Sequence, residues 1–234
     1  VKRKGALARA VVLAAGLAVL AVVALHAYFA TMIWWWRDHP PRETAFMTER
    51  MNALRSSNPR ARLRYRFVPY ERISTPLKRA MIAAEDAKFV DHEGFDWDGI
   101  AYALEKNEKR GHIVAGGSTI TQQLAKNLFL SGSRSWLRKG EEAVITLMLE
   151  AMLDKRRIFE LYLNVIEWGS GVFGAEAAAE RYFGEPAARL TAEQAARLAA
   201  MAPNPRFYEH NPGAPGLNRK IRIILARMPA ADLP

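Results

Sequence analysis

The sequence predicts a mainly α-helical exported domain carried behind one membrane-spanning helix. Three observations lead there. Residues 10–36 hold no formally charged side chain apart from His26. Beyond residue 70, apolar residues recur at helical spacing in segment after segment, several of them opening on a capping residue. Strand patterns are scarce, with one short extended candidate at Leu63–Val68.

The elements follow in chain order. Residues 1–9 form a basic tail with Lys2, Arg3, Lys4 and Arg9. Residues 10–36 would make about 40 Å of helix, against a hydrocarbon core of about 30 Å. Trp34, Trp35 and Trp36 suit an interfacial aromatic belt. The positive-inside rule puts the tail in the cytoplasm and the bulk of the chain outside. A cleaved signal peptide is the rival reading, but its apolar region is normally about 7–15 residues and ends at a clear small-x-small site. Residues 37–70, arginine-rich and broken by Pro40, Pro41, Pro59 and Pro69, read as a connector. The domain proper is 71–234. Ser74-Thr75-Pro76 announces its first helix, with proline at the first helical position. Ile100–Lys109 reads as the next helix, and residues 107–117 as a mobile stretch. Ser135–Leu153, apolar on most sides, reads as the buried central helix. Asp154 caps another helix, and Ala175–Tyr182, Thr191–Met201 and Asn218–Met228 complete the set.

Composition narrows the function. The formal net charge is +10, which implies an anionic partner, and half the residues are hydrophobic, enough for a real core. With no cysteine, thiol catalysis and disulfides are excluded. No lysine follows Gly117 in a P-loop arrangement, and the five histidines show no HExxH spacing. No nucleic-acid-binding pattern is present, so nucleic acid is not an expected partner.

Four segments carry the chemistry. In Gly116-Gly117-Ser118-Thr119-Ile120-Thr121-Gln122-Gln123-Leu124-Ala125-Lys126-Asn127, two glycines permit a sharp turn. Ser118 or Thr119 can then cap a helix, and Thr119 with Gln122 fits a capping box. That helix start would aim free N–H groups at an anion, with Lys126 further along and the Gln122 and Gln123 amides suited to sugars or phosphates. The second segment is Glu85-Asp86-Ala87-Lys88-Phe89-Val90-Asp91-His92-Glu93-Gly94. Glu85 falls beside an apolar stripe near a helix C-terminus, where burial and the negative helix end raise a carboxyl toward a useful base. A solvated Glu-Asp pair is the plainer alternative. In the third, Arg138-Lys139-Gly140-Glu141-Glu142, Glu142 sits on the inward face one turn after Arg138. It is a functional carboxylate, the partner of a structural i,i+4 bridge, or both. In the fourth, Lys155-Arg156-Arg157 opens a helix against the dipole, which suggests anion binding beside the alternative of solvated cations.

The four segments, in this order, resemble the signatures of the family 51 glycosyltransferases, which polymerise peptidoglycan from lipid II. The Tyr182-Phe183-Gly184 and Pro203-Asn204-Pro205 stretches extend the likeness, which runs from about Ile73 to Met228 and is closest to the monofunctional biosynthetic transglycosylases. The resemblance implies a lysozyme-like helical lobe with a small membrane-facing jaw. It implies that Glu85 is the general base on the acceptor sugar hydroxyl, which attacks the donor anomeric carbon with inversion. It makes Glu142 the second carboxylate, and Lys126, Arg134, Arg138, Lys139 and Lys155 the ligands of the pyrophosphates. Ser118, Thr119, Gln122 and Gln123 would line the same cleft. It allows a divalent cation, Mg or Mn, and no organic cofactor. The implied partners are lipid II, the nascent glycan strand, membrane lipid and other cell-wall or cell-division proteins, at the bacterial inner membrane with the catalytic domain periplasmic. No serine has a lysine three positions on and no Lys-Thr-Gly occurs, so transpeptidase activity is not expected. A glycan-cleaving enzyme and a non-catalytic scaffold are the competing functions. The first would not need so many cations beside its glutamate, and intact Glu85 and Glu142 argue against the second.

Overall fold

The computed structural model describes residues 2–112, 116–130, 132 and 135–234, with side chains from Arg9 onward. The chain divides into two compact units, Val1–His39 and Pro40–Pro234. The first is the helix α1, Lys2–Trp36. Its stretch Arg9–Trp36, of mean hydropathy 2.5, is long and apolar enough to cross a membrane.

The second unit opens with a helix where a connector was expected. α2 spans Ala45–Ser57 and is capped by Thr44, whose hydroxyl accepts the Met47 N–H at 3.2 Å. Phe46, Met47 and Met51 are buried, whereas Glu49, Arg50 and Arg55 interrupt the stripe and hide the helical period in sequence. The expected extended piece shrinks to β1, Arg64–Tyr65. α3 spans Thr75–Glu85, and its cap is Ser74, which puts Pro76 one position deeper than the spacing suggested. α4 (Trp97–Arg110) starts earlier than expected because Asp96 caps it through the Gly99 N–H. α5 (Ile120–Phe129), α6 (Trp136–Met152) and α7 (Lys155–Val165) follow.

The buried central helix is α7 rather than α6. Every residue from Ile158 to Val165 except Glu160 is buried, and Asn164 is wholly so. Asn164 pays for its burial by pairing like a strand with Val68: its Oδ1 accepts the Val68 N–H and its Nδ2 donates to the Val68 carbonyl, each at 2.9 Å. In α6, Val144 and Leu147 stay exposed and only Glu142, Ile145, Thr146 and Leu149 are buried. Apolar content alone could not separate the two helices.

β2 (Glu167–Gly169) and β3 (Val172–Phe173) form a hairpin after α7, and β1 joins β3 in parallel, giving the order β1-β3-β2. Gly174, at φ +83°, turns the chain into α8 (Ala175–Phe183); a Cβ there would stand 2.5 Å from the Asn164 carbonyl oxygen. α9 (Ala192–Met201), the short α10 (Pro205–His210) and α11 (Pro215–Arg227) close the unit, with α9 packed on both α3 and α11.

Candidate active site

The site grows from the joint between α3 and α5. Asp86, the residue after α3, is buried, and its Oδ2 accepts the Ile120 N–H at 3.0 Å, filling an orphan donor at the start of α5. Its Oδ1 lies 3.0 Å from His92 Nε2. Thr119 is the cap: its hydroxyl accepts the Gln122 N–H at 3.2 Å, while Gln122 Oε1 accepts the Thr119 N–H at 3.0 Å. The Thr119 hydroxyl also donates to the Gly94 carbonyl at 2.7 Å. These bonds register α5 against the end of α3. One turn along α5, Gln123 Nε2 accordingly reaches Glu85 Oε2 at 2.7 Å.

Glu85 is half-buried, and burial raises its carboxyl above the usual range. The Gln123 bond and the charges of Lys220 and Lys126 pull the other way. Lys126 is shifted oppositely: burial lowers its ammonium pKa and the nearby Arg138 and Arg50 add to that, against Glu142 and Glu85. Glu142 is buried in the first turns of α6, with Arg138 Nη1 at 2.9 Å from Oε2 and Lys139 Nζ on Oε1.

A cavity of about 490 Å³ collects these groups, with Glu85, Ser118, Gln122, Gln123, Lys126, Arg138, Lys139 and Glu142 in its lining. Of the residues expected there, Thr119 and Lys155 are not in the lining. Thr119 is 2 % exposed and spends its hydroxyl on the cap. The Lys155 ammonium instead donates to the His92 carbonyl and, at 2.9 Å, to Glu150 Oε1, over the Phe89 ring. It works as a strut between α6, α7 and the loop after α3. Arg134 lies outside the described residues.

Two residues that sequence reasoning passed over, Phe46 and Arg50 of α2, join the wall, as do Gly132 and Pro203. The Phe46 ring sits 5.4 Å from Lys126 Nζ, and Arg50 Nε lies 3.2 Å from the buried Glu167 carboxylate. The capping pattern at Thr44 was the available signal for α2. A separate groove of about 240 Å³ lies across Glu85, between α3, α9 and α11, with Ala83, Ala199, Ile223, Lys220 and Arg227 along it. Glu85 belongs to both.

Among the described residues, no cluster of three metal-ligating side chains is present. Both Glu142 oxygens already face cations, and the cavity is rich in lysine and arginine, a donor set unsuited to a resident divalent metal.

A helical scaffold that sets one carboxylate of raised proton affinity in the wall of a cation-lined cavity suits the transfer of a group away from an anionic leaving group. The chain belongs to the transglycosylase family, whose sequence model matches residues 51–229. It is 65 % identical over 203 residues to a biosynthetic peptidoglycan transglycosylase of Dechloromonas aromatica, covering 87 % of each chain. It is 63 % identical over 200 residues to one from Chromobacterium violaceum, covering 86 % of this chain and 88 % of the relative. A third, from Herminiimonas arsenicoxydans, is 58 % identical over 216 residues, covering 92 % and 94 %.

Proposed function

We propose that this protein is a peptidoglycan glycosyltransferase of cell-wall synthesis, held by α1 in the bacterial inner membrane with residues 40–234 in the periplasm. Its substrates are lipid II and the nascent glycan strand bound through undecaprenyl pyrophosphate. The observation that carries the mechanism is the position of Glu85 on the edge shared by the cation-lined cavity and the neighbouring groove. A base there can meet an acceptor on one side and a donor on the other.

The acceptor sugar hydroxyl gives its proton to Glu85, whose raised proton affinity suits the task. The hydroxyl oxygen bonds to the donor anomeric carbon from the face opposite the pyrophosphate, so the configuration inverts. The carbon–oxygen bond to the pyrophosphate breaks, and its electron pair leaves with the lipid pyrophosphate. Lys126, Arg138 and Lys139 are charges held ready for that leaving group. Glu142 orients Arg138 and Lys139 by accepting from both. A strand-cleaving hydrolase has no pyrophosphate to neutralise, so the cations favour synthesis.

The test is purified protein with labelled lipid II, followed for polymer that lysozyme digests. Wild type is expected to polymerise. Glu85→Gln is expected to lose about 10²–10⁴-fold in rate. Turnover of Glu85→Gln within a few-fold of wild type removes Glu85 as the base.

A further inference from the structure

Tyr162 is fully buried in α7, and its phenol donates to Gln123 Oε1 at 3.2 Å. The other end of the same amide donates to Glu85 Oε2 at 2.7 Å. An amide side chain can turn over with almost no change of shape, exchanging its acceptor for its donors. Turned over here, Gln123 would set its oxygen against the Glu85 carboxylate and its NH₂ against the phenol proton. Both contacts would become repulsive. The phenol is a dependable donor because burial, then the Glu85 and Asp86 charges, keeps its pKa well above the usual range. Its ring is held in place by stacking on Phe159, with centroids 6.3 Å apart and planes 16° apart.

We propose that Tyr162 is a positioning residue for glycosyl transfer: acting through Gln123, it keeps a hydrogen-bond donor on Glu85 Oε2 and leaves Oε1 to take the acceptor proton. This rests on the reading of Glu85 as the base. The groups facing Glu85 are Gln123 and Lys126 from α5, Lys220 from α11 and Asp86 beside it in the chain, with the Tyr162 phenol behind Gln123. Gln123 supplies a hydrogen bond to Glu85, whereas Lys126 and Lys220 act on it through charge. Losing the amide donor therefore removes a specific stabilisation of the ionised form and raises the Glu85 pKa further.

Tyr162→Phe keeps the ring and deletes the hydroxyl. The acid limb of the kcat–pH profile on lipid II is expected to move up by about one pH unit, the worth of one hydrogen bond to a charged group. At pH values below the limb kcat should fall by up to about tenfold, with full recovery at higher pH and a KM change under about twofold. In a Gln123→Ala background, Tyr162→Phe should have no further effect on the limb, because its route to Glu85 is gone. An unmoved acid limb in Tyr162→Phe, or additive effects in the double variant, overturns the proposal. If Tyr162→Phe fails to fold, Gln123→Leu, which leaves the phenol in place, must show the upward limb shift, and an unmoved limb there overturns it as well. The two readings separate cleanly. An active Glu85→Gln sinks the base assignment, whereas an inactive Glu85→Gln beside an unshifted Tyr162→Phe sinks only the role of Tyr162.

Discussion

Glu85 is costly to keep ionised where it stands, and that cost has a sign. Burial raises its folded pKa above the value of an unfolded chain. The protonated form is therefore favoured on folding, and the stability this group contributes is fully present below its unfolded pKa. It is lost as pH rises through the folded pKa. Glu85→Gln, neutral at every pH, should consequently melt higher than wild type at neutral pH, and the advantage should vanish in acid. Thermal melts of both proteins across the acid range check this, and equal melting temperatures at neutral pH would contradict it. The variant that loses catalysis is thus expected to gain stability. The same residues show what was legible in the sequence. Glu85, at the end of α3, and Gln122, Gln123, Lys126 and Glu142, within two turns of a helix start, all lie in short motifs, so local spacing places them. Lys155 also lies in a motif, but its ammonium turns to Glu150 and the His92 carbonyl, contacts that spacing along its own helix cannot reveal. Arg50 and Phe46 come from a segment far away in the chain, and only the fold brings them to Lys126.

Among the elements, the start of α5 has the most at stake. Thr119 caps the helix and also reaches the Gly94 carbonyl, so one hydroxyl fixes both the helix and its register against the loop after α3. Thr119→Ala should cost about 1–2 kcal/mol, the range of a lost N-cap. Thr119→Ser, which keeps the oxygen, should cost less. Ser118→Ala, at an exposed neighbouring position, should stay within about 0.5 kcal/mol of wild type. Urea unfolding of the three variants measures the order, and a larger loss at Ser118 than at Thr119 would reverse the capping assignment. The capping box at Thr119 was readable because both of its partners lie within four residues. The existence of α2 was legible only through its cap at Thr44, since glutamate and arginine break its apolar stripe and its three buried side chains gain their meaning from distant contacts. The choice between α6 and α7 as the central helix failed for a related reason. α6 leaves apolar residues in solvent, whereas α7 hides a polar Asn164 by pairing it with the Val68 backbone.

For the whole molecule, part of the excess of positive charge gathers at the site. Lys126, Arg138 and Lys139 come from two helices and Arg50 from a third, and all four line one cavity. Glu142 offsets part of this charge, and desolvation, with Arg138 and Arg50 adding to it, still pushes the half-buried Lys126 toward its neutral form. Like charges drawn together in this way oppose folding until an anion joins them. A ligand carrying a pyrophosphate should relieve that repulsion and stabilise the protein well beyond the effect of its sugar contacts. At about 100 times its Kd, a ligand selective for the folded state contributes roughly 2.7 kcal/mol. The measurement is a thermal shift in one detergent, with a polyprenyl pyrophosphate glycan compared with a neutral glycan of equal length. The pyrophosphate ligand should give the larger shift at matched concentration, and added salt should reduce it by screening. Lys126→Ala should shrink that shift while leaving the small effect of the neutral glycan in place. Equal shifts from the two ligands would mean that the cations serve the protein rather than its substrate, and the glycan-cleaving alternative would regain its standing.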